Sequence, residues 1–159
     1  MSASEYSSDG NLNSKSFLEY SLKNRFVTRK IFSYYKDTTL CILSSSWKLN
    51  KNHFAVESKN YDGISSNFSS HYINKYDKKG NLIQCDIETV INDSIKKTKE
   101  NYQYNSSGKL LTLEEIKDGR KALRKSNSYM KNGLLELKYE YTGNGKLYCK
   151  SKYEYKLRK

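Results

Sequence analysis

Two histidines (His53 and His71), three cysteines (Cys41, Cys85 and Cys149) and the adjacent carboxylates Glu114 and Glu115 are the residues whose types could carry catalysis or hold a metal. Their spacing supplies little for either. Both histidines fall in the loop-rich stretch 50–72, with no HxH or HxxxH pair and no acidic motif beside them, so they are read as ordinary surface residues. A cysteine nucleophile needs a histidine beside it in space, and Cys85 and Cys149 sit alone in apolar stretches, as small buried hydrophobes do. Glu114 and Glu115 are successive residues of a strand pattern, so they point to opposite faces and cannot share a proton; they are expected to balance nearby lysines. No GxxxxGK, GxGxxG or GxSxG occurs, and Gly143-Asn144-Gly145 is turn chemistry. The expectation is a protein that is not an enzyme, with no metal site and no cofactor.

The elements around these residues are written in one repeated phrase: a tyrosine-rich strand, a turn holding Gly, then a Lys or Asn, a Leu and another strand. It reads Tyr76-Asp77-Lys78-Lys79-Gly80-Asn81-Leu82, Tyr104-Asn105-Ser106-Ser107-Gly108-Lys109-Leu110 and Tyr141-Thr142-Gly143-Asn144-Gly145-Lys146-Leu147. Looser copies are Tyr129-Met130-Lys131-Asn132-Gly133-Leu134 and Tyr6-Ser7-Ser8-Asp9-Gly10-Asn11-Leu12. Repetition on this scale predicts stacked hairpins, none able to bury its apolar face alone. Alternation supports it. Leu135, Leu137, Tyr139 and Tyr141 fall on one side with Glu136, Lys138 and Glu140 on the other. After the turn, Leu147, Cys149, Tyr153, Tyr155 and Leu157 fall opposite Lys150, Lys152, Glu154 and Lys156. Ile83, Cys85, Ile87 and Ile91 are likewise in phase, and Asn92-Asp93-Ser94 and Lys117-Asp118-Gly119 mark further turns. Seven strands in an up-and-down meander are expected from Tyr72 onward. Proline is absent altogether, which suits paired strands because each proline would remove a ladder hydrogen bond.

Residues 1–71 are less regular. Phe26–Tyr35 alternates and 38–43 is β-branched and apolar, which predicts strands. Leu18, Leu22 and Phe26 also fall at helical spacing, so 16–25 is open between a strand and one short helix. Ser44-Ser45-Ser46, Asn50-Lys51-Asn52 and 63–70 read as loops.

A length of 159 residues suits a single domain, 1–159, with an irregular N-terminal half (1–71) and tandem hairpin repeats (72–159). Hydrophobic residues are only 36%, and Tyr outnumbers Phe by 15 to 5 with Trp47 the single tryptophan, which suits a thin, half-solvated sheet. The fold expected is all-β: an antiparallel meander of about nine to eleven strands in a single curved sheet or open barrel, each Gly turn adding to the curl. The formal charge of +12 favours an acidic partner, whether protein, nucleic acid or anionic surface. Three cysteines without CxxC argue for free thiols in a reducing compartment. Met1-Ser2-Ala3-Ser4-Glu5 shows no basic region followed by an apolar one, so the cytoplasm is the expected compartment, or the envelope if a leader has been removed. No stretch has the length and apolarity of a membrane span.

The phrase at Tyr76-Asp77-Lys78-Lys79-Gly80-Asn81-Leu82, with its copies, resembles the YD repeat of the Rhs family and related bacterial tandem-hairpin proteins over roughly residues 72–155. Asn105 and Thr142 replace the Asp in other copies, and Asn or Lys stands where the family has Arg after the turn Gly. What the resemblance implies is a hairpin ladder with a non-catalytic role; small free-standing proteins of this look occur beside polymorphic toxins as immunity proteins.

These readings converge on a protein-binding module, expressed most concretely as an immunity protein that occludes a bacterial toxin with a basic, Tyr-rich sheet face. Lys138, Lys150, Lys152 and Lys156, the polar side of the last hairpin, are the expected contact residues, with Trp47 a candidate anchor. Two alternatives stand beside it. Lys138-Tyr139-Glu140-Tyr141 and Lys152-Tyr153-Glu154-Tyr155 interleave cations with rings as single-stranded nucleic-acid binders do, although the glutamates oppose a polyanion. An envelope carrier or scaffold holding an amphiphile in a half-barrel is the other.

Overall fold

The computed structural model describes residues 2–6, 12–21, 23–35, 38–61 and 67–156. All regular structure among them is β, and no helix there is long and apolar enough to cross a membrane. The strands are β1 (Ser2–Tyr6), β2 (Leu12–Ser21), β3 (Phe26–Tyr35), β4 (Thr38–Leu49), β5 (Ala55–Tyr61) and β6 (Phe68–Tyr76), followed by β7 (Leu82–Ile91), β8 (Ser94–Tyr104), β9 (Leu110–Lys117), β10 (Arg120–Tyr129), β11 (Leu135–Thr142) and β12 (Leu147–Lys152). They form one 12-stranded antiparallel sheet in sequence order, unclosed, with β1 and β12 as its edges. The seven strands expected from Tyr72 onward are β6 to β12.

In the N-terminal half the choice left open for 16–25 falls to a strand over 16–21, and two loop expectations are corrected. Residues 12–21 are strand β2, paired along its length with β3 from Ser14↔Ser33 to Ser21↔Phe26, so the helical spacing of Leu18, Leu22 and Phe26 gave way to ladder bonding. Ser44, Ser45 and Ser46 lie inside β4, and of the stretch 63–70, residues 63–66 lie outside the described residues while Phe68, Ser69 and Ser70 open β6. The serines pass as strand residues because neighbouring strands satisfy their backbones; Ser46 and Ser70 are even buried. The count of nine to eleven strands becomes twelve through β1, β2 and these extensions.

Four copies of the repeated phrase build one turn, and the turn of the copy at Tyr6 lies outside the described residues. At Asp77, Asn105, Met130 and Thr142 the first residue's N–H donates to the carbonyl four residues on, at 2.9 Å each time, and the glycine N–H donates back to the first residue's carbonyl at 2.8–3.1 Å. Gly80, Gly108, Gly133 and Gly145 take φ between 78° and 89°, the left-handed geometry of a three-residue hairpin loop. Asp77 Oδ1 also accepts from the N–H groups of Lys79 (2.8 Å) and Asn81 (2.9 Å), and Asn105 Oδ1 does the same for Ser107 and Lys109. Where the first residue has no such oxygen, Asn132 takes over, accepting from Leu134 N–H. The intervening turns at Asn92-Asp93 and Asp118-Gly119 have two successive positive φ values, the two-residue type that matches strand twist.

The stretch 50–54, expected as a loop, is another copy without the glycine. Asn50 N–H donates to Phe54 O (2.9 Å), His53 N–H to Asn50 O (3.1 Å), and Asn50 Oδ1 caps Asn52 and Phe54. His53 holds the left-handed position at φ 64°, and its Nδ1 lies 3.0 Å from the Tyr20 hydroxyl.

A further regularity follows every such turn whose register is defined. The residue after the phrase's Leu has no cross-strand partner. Tyr104 pairs Leu110 but Gln103 pairs Thr112, skipping Leu111. Tyr129 pairs Leu135 but Ser128 pairs Leu137, skipping Glu136. Tyr141 pairs Leu147 but Glu140 pairs Cys149, skipping Tyr148. The 50–54 turn skips Val56 in the same place. Each bulge moves the following strand out of phase with simple alternation.

Close packing separates two units, Met1–Ile73 with Ile87–Ile95, and Asn74–Asp86 with Lys96–Lys159. In the first, Trp47 is half-buried between its cross-strand partners Val27 and Ser58, and Phe17 meets Phe32 edge-on at 5.4 Å. In the second, tyrosines tie successive hairpins: the hydroxyls of Tyr104, Tyr129 and Tyr155 donate to the carbonyls of Leu82, Leu110 and Leu135 at 2.8–2.9 Å. Among the described residues only Cys85, Ser46 and Ser70 are buried, so stability rests on ladder bonds and half-buried side chains.

Candidate binding face

The residues singled out for catalysis are accounted for locally. Cys85, at 5% exposure, has its thiol pushed up to about 11 by burial and by the Glu100 and Asp86 carboxylates, and so stays protonated at neutral pH. Cys149 is exposed, contrary to its reading as a buried hydrophobe, because the bulge at Tyr148 sets it opposite Glu140 on the edge strand. His71 Nε2 lies 3.0 Å from Glu57 Oε1. Burial pulls Glu57 upward, but hydrogen bonds from Lys59 and His71 outweigh it and hold the carboxyl below its usual range. Glu114 and Glu115 do point apart, and each has its lysine: Lys121 at 2.8 Å and Lys117 at 2.9 Å. No group of three or more metal-ligating side chains occurs among the described residues.

Direct cross-strand partners share a face, so register sorts the side chains of β8 to β12. One face carries the row Tyr102, Leu113, Lys125, Glu140, Cys149 and the row Glu100, Glu115, Leu123, Thr142. Its carboxylates are engaged, while Lys125 makes no ion pair among the described residues. Lys138 Nζ is 2.5 Å from Glu140 Oε1, the Tyr148 hydroxyl donates to the same carboxylate, and the Tyr102 hydroxyl donates to Glu100. Lys138 and Tyr148 hold Glu140 below the ordinary carboxylate value, while burial, then the Glu100 bond, pushes Tyr102 well up.

The other face carries the row Gln103, Thr112, Ser126, Tyr139, Lys150 and the row Asn101, Glu114, Arg124, Tyr141, Leu147, followed by Ser128, Leu137, Lys152. Tyr139 and Tyr141 stack with centroids 6.4 Å apart, and Lys150 Nζ lies 5.5 Å from the Tyr139 ring centre. Glu114 is the one carboxylate in these rows, and Lys121 neutralises it. A trough of about 580 Å³ runs along Asn101, Gln103, Thr112, Arg124 and Tyr141, with the Glu114–Lys121 pair also in its lining, and is walled by the 142–145 turn.

The expected contact lysines therefore do not share a face. Lys150 and Lys152 stand beside Tyr139 and Leu137, not opposite them, because the bulge at Tyr148 shifts β12 by one. Lys138 is on the opposite side with Ser151, Glu140 and Cys149. Lys156 is exposed beyond the last strand, and Trp47 belongs to the first unit. Arg124 lies in the stretch RKALRKSNSY, which shows no alternation to assign its face, and only pairing of β10 with β9 and β11 sets it between Glu114 and Tyr141. No protein-family model matches the chain, and no curated protein matches it in sequence.

Proposed function

We propose that this protein is a non-catalytic binding module that engages an acidic protein partner through the face of β8 to β12 carrying Arg124, Lys150 and Lys152. The observation that supports it is the sorting of charge: Arg124 and Lys150 stand beside the stacked Tyr141 and Tyr139 with no carboxylate of their own, Glu114 and Glu154 on this side are taken by Lys121 and Lys152, and Glu100, Glu115 and Glu140 lie on the other side. Cations on such a surface steer association, and half-buried tyrosines offer large contact area at small entropic cost. With the YD-repeat resemblance, the concrete form of the proposal is a small bacterial immunity protein that neutralises its toxin by steric occlusion.

Single-stranded nucleic acid is the second reading, favoured by one observation: Glu140, which interrupts the tyrosines in sequence, faces away from them in the sheet. A pull-down from native lysate at about physiological salt, with and without nuclease, separates the two. One stoichiometric protein that survives nuclease is the expected result. Recovery of nucleic acid alone, lost on digestion, would replace the first reading with the second.

A further inference from the structure

Glu114 has two cations near it, Arg124 in its own row and Lys121 in the next, opposite Ile116. Arg124 is its direct partner across β10, yet its carboxylate takes Lys121 at 2.8 Å. Arg124 is exposed and has neither hydrogen bond nor ion pair among the described residues, whereas Lys117, Lys121 and Lys138 are each paired. Its guanidinium thus stands free in the 580 Å³ trough, with Asn101, Gln103 and Thr112 alongside. A guanidinium offers a planar fork matched to two carboxylate oxygens, and amide and hydroxyl side chains can both give and accept hydrogen bonds with a peptide backbone. Among the described residues the Thr112 hydroxyl to Gln103 Oε1 bond, 3.0 Å, is the one that engages these side chains, leaving the rest of their hydrogen-bonding groups to a ligand.

We infer that this trough holds an extended acidic peptide segment, one of whose carboxylates forms a two-pronged ion pair with Arg124 while its backbone lies along Asn101, Gln103 and Thr112. The inference rests on the proposed binding face and adds to it a residue that reads one carboxylate, as distinct from lysines that only steer. Charge complementarity selects the occupant: Glu114 is already neutralised by Lys121, so an incoming carboxylate meets net positive charge.

The test is a fluorescence-anisotropy titration of a labelled octapeptide of alternating Glu and Ser at low salt, beside a Gln/Ser peptide and a thymidine octanucleotide. Saturable binding of the Glu/Ser peptide is expected, with a loss of about tenfold in Arg124→Gln and only partial recovery in Arg124→Lys, which keeps the charge but not the fork. Both variants change an exposed side chain, and an unchanged thermal midpoint shows that the fold is retained. If Arg124→Gln binds as the unmodified protein does while Lys150→Glu/Lys152→Glu binds more weakly, the face stands and the carboxylate site falls. Equal binding of the Gln/Ser peptide also overturns the site. No saturable peptide binding, or a tighter thymidine octanucleotide, overturns the inference and the protein-binding reading together.

Discussion

The two faces of β8 to β12 are built from the same strands and differ in what their charges do. On one, lysines and glutamates alternate within reach of each other: Lys138 with Glu140, Lys117 with Glu115. On the other, Lys121 pairs with Glu114 and Lys152 with Glu154, but Arg124 is unpaired and Lys150 lies over a tyrosine ring. On the first face the half-buried carboxylates of Glu115 and Glu140 are already satisfied by lysines, which leaves them no charge to offer a partner. Cations left without acids are poised for an external partner. The contrast teaches that net charge matters less than how pairing distributes it between faces.

The largest effect should come from the wall of the trough. A Cβ on Gly143 would run into the backbone carbonyl of Lys121, so Gly143→Ala should cost about 1–3 kcal/mol in urea unfolding. Gly119→Ala, at φ 80° with nothing within 4 Å of the added carbon, should cost about 1 kcal/mol from conformation alone. Equal losses would mean that the close approach at Gly143 contributes nothing. Next, Lys150→Glu/Lys152→Glu should slow association with the captured partner about tenfold and flatten its salt dependence, whereas Lys138→Glu, on the paired face, should leave the rate within about twofold. Similar slowing by both would erase the distinction between the faces.

Smaller still is the contribution of the tyrosine ties on the paired side. Tyr104→Phe removes the bond to Leu82 O and should lower stability by about 1 kcal/mol without touching association. Acid should act on the paired face first. Glu140 has its carboxyl held below its ordinary value of 4.5 by Lys138 and Tyr148, so the stability it brings is complete above that value and is lost as pH falls through the lowered one. Urea midpoints of the unmodified protein and Glu140→Gln should therefore differ at pH 7 and converge in acid; a constant gap would show that the carboxylate charge is not involved.

Much of this architecture was legible in the residues. The phrase at Tyr76, Tyr104 and Tyr141 marks hairpins because Gly is needed where φ is positive and Asp or Asn can cap the turn through its own side chain. The copy at Asn50 was hidden because His53 occupies the left-handed position that Gly fills elsewhere. Residues 16–25 stood open between strand and helix for another reason: the helical spacing of Leu18, Leu22 and Phe26 is a local preference, and over 16–21 pairing with β3 overrode it.

The functional face was legible only in its ingredients. Alternation within one strand is a local property, set by the pleat, and by itself it put Tyr139 with Tyr141 and separated Glu114 from Glu115. Which strand's cations stand beside which strand's rings depends on register, and register changes by one at each unpaired residue after a turn. The sequence by itself determined the hairpins, the absence of a thick apolar core and the supply of cations and tyrosines. The tertiary structure decided that Lys150 and Lys152 join Tyr139 and Arg124 while Lys138 does not, because a bulge forms only when a neighbouring strand is present to be skipped.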